Sequence, residues 1–263
     1  MDLKLQEKRA LIAASSRGLG YACACALASE GAWVAINGRD PEQVEKAGNL
    51  LRKDYQANVL TIPGDVSDPL VPGEMVSKVI ATWGGLDILI TNAGGPPSGP
   101  FVDHDDNAWE KAFELTLMSH VRLIRSALPH LIKSSHASVL TITSISVKQP
   151  IPNLVLSNSI RAATAALTKS LALELGDQGI RFNSILPAWT MTERVQELLL
   201  YRSRQNGTSV EEETRKQASE SPFNRLGTPE EFANVAAFLV SPAASYVTGV
   251  LMTVDGGTYR ATI

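Results

Sequence analysis

Seven short apolar runs rich in β-branched residues recur along this chain, and longer stretches with helical periodicity separate them. That alternation restricts the fold more than any other feature. The runs lie at 10–14, 32–37, 58–63, 86–91, 138–143, 181–186 and 250–254. Each is apolar on both faces, as a strand must be when helices cover both sides of a parallel sheet. The pattern predicts an α/β fold with a doubly wound, parallel, seven-stranded sheet and helices on both faces.

The helical stretches carry their own signals. After Gly18, the residues Leu19, Ala22, Cys23, Ala26 and Leu27 fall on one helical face, and Gly31 follows Glu30 as a stop. Pro41 opens a second helix. Thr228-Pro229-Glu230-Glu231 combines an N-cap, a first-turn proline and a capping-box glutamate before an apolar stretch at 232–240. No linker, repeat or low-complexity segment interrupts the alternation, so the 263 residues are expected to form one domain. The segment 194–224 is polar and charged, with Gly207-Thr208-Ser209 in its middle. It follows the sixth strand, at the sheet end where such folds cover their ligands, and is read as a lid of two short helices. The plainer reading is a surface excursion.

Charge excludes two classes of partner. With Lys+Arg 24 against Asp+Glu 27 and a net charge of −3, nothing favours wrapping nucleic acid or lying on an anionic membrane. No run approaches the ~18 apolar residues of a membrane span, and the first eight residues lack a signal peptide's apolar stretch, so a cytoplasmic protein with a small-molecule substrate is expected. Cys23 and Cys25 are two apart in a helical pattern; they diverge, and are read as small packing residues. His104, His120, His130 and His136 are scattered, which suggests neither a metal set nor a charge-relay pair.

The first strand runs through Ser15-Ser16-Arg17-Gly18-Leu19-Gly20 into a helix. Glycines at such a turn let backbone approach a pyrophosphate, while the helix N-terminus offers unpaired N–H donors. Other motifs follow in order: Gly64-Asp65-Val66 after strand three, Asn92-Ala93-Gly94-Gly95 after strand four, Ser144 ending strand five, Asn183 and Pro187 around strand six, and Val254-Asp255-Gly256-Gly257 near the end. Together they resemble the short-chain dehydrogenase/reductase (SDR) family over nearly the whole chain, with Ala13 and Ala14 replacing the first Thr and Gly of its Thr-Gly-x-x-x-Gly-x-Gly motif. The likeness is to an atypical member of the 3-oxoacyl-ACP-reductase kind, and it implies a Rossmann-type fold and a nicotinamide cofactor.

The resemblance implies cofactor contacts at Ser15, Ser16, Arg17, Gly18, Leu19, Gly20, Asp65, Val66, Asn92, Ala93, Gly94, Pro187 and Thr192. Gly64-Asp65 also suits a plain turn. At the end of strand two, NAD-preferring members place an acid, where this chain reads Asn37-Gly38-Arg39. Arg39 and Arg17 are expected to clamp a 2′-phosphate, which makes NADP(H) the expected cofactor rather than NAD. Alternatively Arg39 is a solvated surface cation neutralised by Asp40.

The catalytic positions depart from the family pattern of Asn, Ser, Tyr and a Lys four residues after the Tyr. Ser144 keeps its place, thirteen residues before the Tyr position. Ser157 stands for Tyr, Arg161 for Lys and Thr116 for Asn. A phenol, with a pKa of about 10, is a workable acid–base when a cation lowers it; an aliphatic hydroxyl is far too weak an acid. Arg161, also an expected cofactor contact, supplies charge but no proton. Tyr201 and Lys148 are the remaining titratable candidates, and Ala188, in place of a family Gly, is expected to lose backbone freedom. Two main readings stay open: an NADP(H)-dependent carbonyl/alcohol oxidoreductase with an altered catalytic set, or a catalytically silent nucleotide-binding protein of the same fold. A third, halohydrin dehalogenase, fits least, because those relatives keep the Tyr and lose the dinucleotide loop. The resemblance also implies a homodimer or homotetramer paired through helices near 107–133 and 157–175.

Overall fold

In this computed structural model, which describes residues 2–262, all seven apolar runs are strands of one parallel sheet. They are β1 (Arg9–Ile12), β2 (Trp33–Gly38), β3 (Val59–Pro63), β4 (Ile88–Thr91), β5 (Ser138–Ile142), β6 (Arg181–Pro187) and β7 (Leu251–Val254). Their order is β3-β2-β1-β4-β5-β6-β7. After β3 the chain crosses back to lay β4 beside β1, with Leu11 opposite Leu89. Strand order reverses there, and a doubly wound sheet opens its ligand crevice outside the carboxyl ends at that point.

Alternate strand residues feed two cores. Ile12, Ile36, Ile88 and Ile90 lie under helices α1 (Gly18–Ser29), α2 (Pro41–Tyr55) and the α9 helix (Pro229–Val240), with Leu27, Leu51 and Phe232. Leu11, Ala35, Leu89 and Val139 face the other way, towards α3 (Val71–Trp83), α5 (Ser119–Leu131) and α6 (Val155–Glu174), with Met75, Leu123 and Phe182. Each face thus loses its apolar surface to helices, at roughly 25 cal/mol per Å² removed from water. Cys23 is buried in the first core and Cys25 is half-buried, both as free thiols.

The caps behave as the sequence predicts. Thr228 accepts from Glu231 N while the Glu231 carboxylate accepts from Thr228 N, a complete capping box. Two boundaries differ. First, β1 ends at Ile12, because Ala14 turns left-handed at φ 45° and gives its amide to Asn37 Oδ1. Second, the long helix expected at 107–133 is interrupted. A helix α4 (Asp106–Phe113) passes through a π-helical turn at Glu114–Met118 into α5. The polar segment 194–224 holds two helices, α7 (Glu193–Asn206) and α8 (Val210–Ala218), joined at Gly207, whose φ is 64°. Among the described residues no helix is long and apolar enough to cross a membrane.

Candidate active site

The β1–α1 turn is a cradle built by side chains from neighbouring strands. Ser15 is buried, donates its hydroxyl to Ile12 O at 2.7 Å and accepts from Asn37 N at 3.0 Å. Asn92 donates to Ala14 O at 3.1 Å. A Cβ on Gly20 would stand 2.5 Å from Ala14 O and 2.9 Å from Ser15 Cα, so only glycine lets α1 start this close to the turn. Arg17 precedes α1 in extended backbone and caps nothing with its side chain, and the first turn carries no acid. The leading amides of α1 are therefore free for an anion. Gly18, Leu19 and Ser16 are half-buried on this rim, and Ala93 is buried beneath it.

The end of β2 decides what fits next to that cradle. A Cβ on Gly38 would lie 2.5 Å from Ser16 Oγ and 2.8 Å from Val44 Cγ2, so no acidic side chain can stand there without displacing both. Asp40 does not neutralise Arg39: its Oδ1 caps α2 through Glu42 N and Gln43 N at 3.0 and 3.4 Å. Arg39 is exposed and forms no ion pair among the described residues. Arg17 pairs with Glu193 at 3.3 Å, with both side chains more than half exposed, a geometry that contributes little. Asp65 uses one oxygen to accept from Ser67 N and Oγ, which is turn chemistry, and Val66 is buried behind it.

The residues expected to be catalytic lie where β4, β5 and α6 meet. Ser144 caps a short helical turn, accepting from Ser146 N at 3.1 Å and keeping its hydroxyl proton free to donate. Ser157 is half-buried in the first turn of α6, and among the described residues its hydroxyl has no partner. One turn further on, Arg161 is 8% exposed. Its Nη1 donates to Thr143 O at 3.4 Å and its Nη2 to Gly94 O at 3.3 Å, tying the ends of β5 and β4 together. No carboxylate lies within ion-pair distance among the described residues. Burial pushes its pKa down to about 10, so it stays a cation at neutral pH. A buried cation whose hydrogen-bond acceptors, among the described residues, are two neutral carbonyls favours whatever negative charge enters the site.

His120, which the sequence reading set aside, is Arg161's neighbour. It is 1% exposed, with no hydrogen-bond partner for either ring nitrogen among the described residues. Burial first, then the Arg161 charge, lowers its pKa to about 3, so it is neutral. One sequence signal points to it: His120 lies four residues after Thr116, on the same helical face. Thr116 itself is fully buried, its hydroxyl given to Ala112 O at 2.7 Å and its carbonyl taken by Thr164 Oγ1 at 2.7 Å.

Other candidates are spread around the rim. Lys148 sits 5.1 Å from the centre of the Tyr259 ring, and Tyr201 is 60% exposed on α7. Thr192 caps α7 through Val195 N at 3.4 Å, and Pro187 ends β6. Ala188 avoids the left-handed region, so replacing a glycine there strains nothing; the strain falls on Ala14 instead. Between these elements lies a cleft of about 660 Å³, lined by Ile145, Asn153, Trp189, Arg202 and Gln217 among others. Among the described residues no cluster of His, Cys, Asp and Glu is placed to hold a metal ion.

Residues 13–259 match a family model described as enoyl-(acyl carrier protein) reductase. The pig (Sus scrofa) dehydrogenase/reductase SDR family member 4 is 33% identical over 258 residues, covering 97% of this chain and 88% of that protein. The L-sorbose reductase of Gluconobacter frateurii, solved with NADPH and L-sorbose, superposes with a TM-score of 0.96 at 31% identity, over 99% of this chain and all of its own. A short-chain oxidoreductase of Pseudomonas aeruginosa PAO1, solved with NADPH and described as containing an atypical catalytic center, gives 0.89 at 29% identity, over 98% of this chain and all of that one. The family match runs through cradle and catalytic face alike, and the likeness to the pig protein extends along almost the whole length: this chain belongs to the short-chain dehydrogenase/reductase family.

Proposed function

We propose that the chain is an NADP(H)-dependent oxidoreductase that interconverts a carbonyl and an alcohol with an altered catalytic set. The observation that carries this reading is the end of β2, where Gly38 leaves no room for an acid and Arg39 stands unpaired beside the free amides of α1. A ribose 2′-phosphate needs that combination of space and positive charge. The turn from Ser15 to Gly20 cradles the pyrophosphate, Asp65-Val66 and Asn92-Ala93-Gly94 border the adenine and ribose, and Arg161, Pro187 and Thr192 border the nicotinamide half. Bound NADPH supplies the hydride.

The chain's own residues do the rest. Ser144 donates a hydrogen bond to the carbonyl oxygen and keeps its proton, and the charge of Arg161 stabilises negative charge developing there. The proton comes from water in the cleft, since neither Ser157 nor Arg161 can release one at working pH. Helices α7 and α8 cover the bound substrate as a lid. Exposed Phe113, Ile132 and Leu173, on and beside α4, α5 and α6, support a homodimer or homotetramer built through those helices.

Calorimetric titration with NADPH and NADH tests the reading. Micromolar binding of NADPH, with NADH at least ~10-fold weaker, is expected, and Arg39→Ala should remove most of that difference. Equal affinities would sink the phosphate clamp. The missing tyrosine favours a second reading, a silent nucleotide-binding protein. NADPH binding without any NADPH oxidation across a carbonyl panel would select it.

A further inference from the structure

Beyond the cofactor site, the far wall of the cleft holds an arginine fixed on two sides and unused on a third. Arg202, on α7, has its guanidinium carbon 4.9 Å from the centre of the Trp189 ring, so one face is stacked. Its Nη1 donates to Gln217 Oε1 at 2.9 Å, which sets its rotation. Its Nε and Nη2 make no hydrogen bond, and no carboxylate reaches it within ion-pair distance, among the described residues. That free edge is the side of a guanidinium that meets the two oxygens of a planar carboxylate.

Gln217, on α8, adds a second observation. It is only 6% exposed, and its buried Nε2 has no hydrogen-bond partner. An unmet buried donor beside a guanidinium with an open edge is the arrangement of a site whose acceptor arrives with a ligand. The cleft's own acids do not fill the role. Glu213 spends its Oε1 on Asn206, Thr208 and Lys216, and Glu220 is exposed at the rim. Arg202 joins α7 to α8 through Gln217, while Glu213 pairs with Lys216.

We infer that Arg202 and Gln217 form a carboxylate subsite, and that the substrate is an oxo acid or hydroxy acid. Its charged end docks at the lid, and its reacting carbon lies towards Ser144. Ile145, next to Ser144, lines the same cleft, and Pro150, Ile151 and Pro152 supply an apolar wall for the carbon chain between the two ends. This specifies the substrate class of the oxidoreductase proposed above and rests on that reading.

The test is a binding titration of the full chain, with and without NADPH, using pyruvate, acetoacetate and levulinate against their methyl esters, with inorganic phosphate as a tetrahedral anion. At least one acid is expected to bind ~10-fold or more tightly than its ester. Arg202→Met should erase that preference without changing NADPH affinity, and Arg202→Lys should restore part of it. Gln217→Leu, which removes the orienting acceptor, should weaken the acid severalfold and serves if Arg202→Met does not fold. The inference is overturned by the absence of any acid–ester difference across the series, by a difference that survives Arg202→Met, or by phosphate binding as tightly as the best acid. Failure of NADPH to bind would strike the cofactor reading instead, because the acids are also titrated onto the free protein.

Discussion

The β1–α1 cradle and the proposed catalytic face respond in opposite ways to a departure from the family's motifs. In the cradle, Ala14 replaces a glycine and the backbone still takes the left-handed turn, held by Asn37 and Asn92. Geometry is kept at the cost of local strain. On the proposed catalytic face, helix α6 and the end of β5 carry Ser157 and Arg161, and under the proposed reading a hydroxyl and a guanidinium stand where a phenol and an amine would be. Under that reading the scaffold is kept there and the chemistry changes. Binding to free backbone amides tolerates side-chain replacement; proton transfer does not, because it depends on the pKa of one group.

The largest effect that sharpens this contrast lies on the catalytic face, at His120. The folded chain holds it neutral down to about pH 3, whereas the unfolded chain protonates it near 6.5. Protons therefore bind the unfolded state more readily between those values, so stability is complete above about pH 6.5 and falls as pH drops towards 3. The loss is at most about 5 kcal/mol, from 1.36 kcal/mol per pKa unit. Denaturant unfolding of the wild type and His120→Leu at pH 7, 5 and 4 reads it directly. The variant should lose the slope that His120 contributes; parallel pH dependences would mean that this imidazole is not held neutral beside Arg161.

Next in size is Ser144→Ala. Under the oxidoreductase reading it removes the one hydroxyl that donates to the carbonyl, with an expected loss of ~100-fold or more in NADPH oxidation and a cofactor affinity within about twofold of wild type. The two halves would then be separable, one binding and one reacting. Unchanged turnover would take Ser144 out of the chemistry, and a parallel loss of cofactor binding would mean that the two halves are not independent.

These contrasts were unevenly legible in the sequence. Every strand was, within about two residues, because short runs buried on both faces and bounded by turns allow few alternatives. Thr228-Pro229-Glu230-Glu231 gave a helix start because capping is local chemistry. Contacts made across the fold were not legible. Nothing local marks the π-helical turn at Glu114–Met118, and the scatter of the four histidines along the sequence hides that α5 packs His120 beside Arg161 from α6. Arg202, Trp189 and Gln217 come from three segments and meet only when α7 and α8 fold over the cleft. Adjacency alone suggests the alternative in which Asp40 neutralises Arg39, but the Asp40 carboxylate caps the orphan amides of α2.

The smallest effect separates strain from sequence likeness. Ala14 and Ala188 both stand where the family has glycine, and the motif alone treats them alike. The backbone does not: Ala14 has φ 45°, and Ala188 lies outside the left-handed region. An L-residue in that region costs roughly 1–2 kcal/mol, while glycine adds about 0.4–1 kcal/mol of unfolded-state entropy wherever it is placed. Ala14→Gly should therefore stabilise the chain by up to about 1.6 kcal/mol, a rise of up to roughly 3 °C in Tm at this size. Ala188→Gly meets only the entropy term and should lower Tm by a similar amount. Scanning calorimetry of the two variants side by side checks the sign of each. If both moved in the same direction, the left-handed turn would not be where the cradle stores its strain.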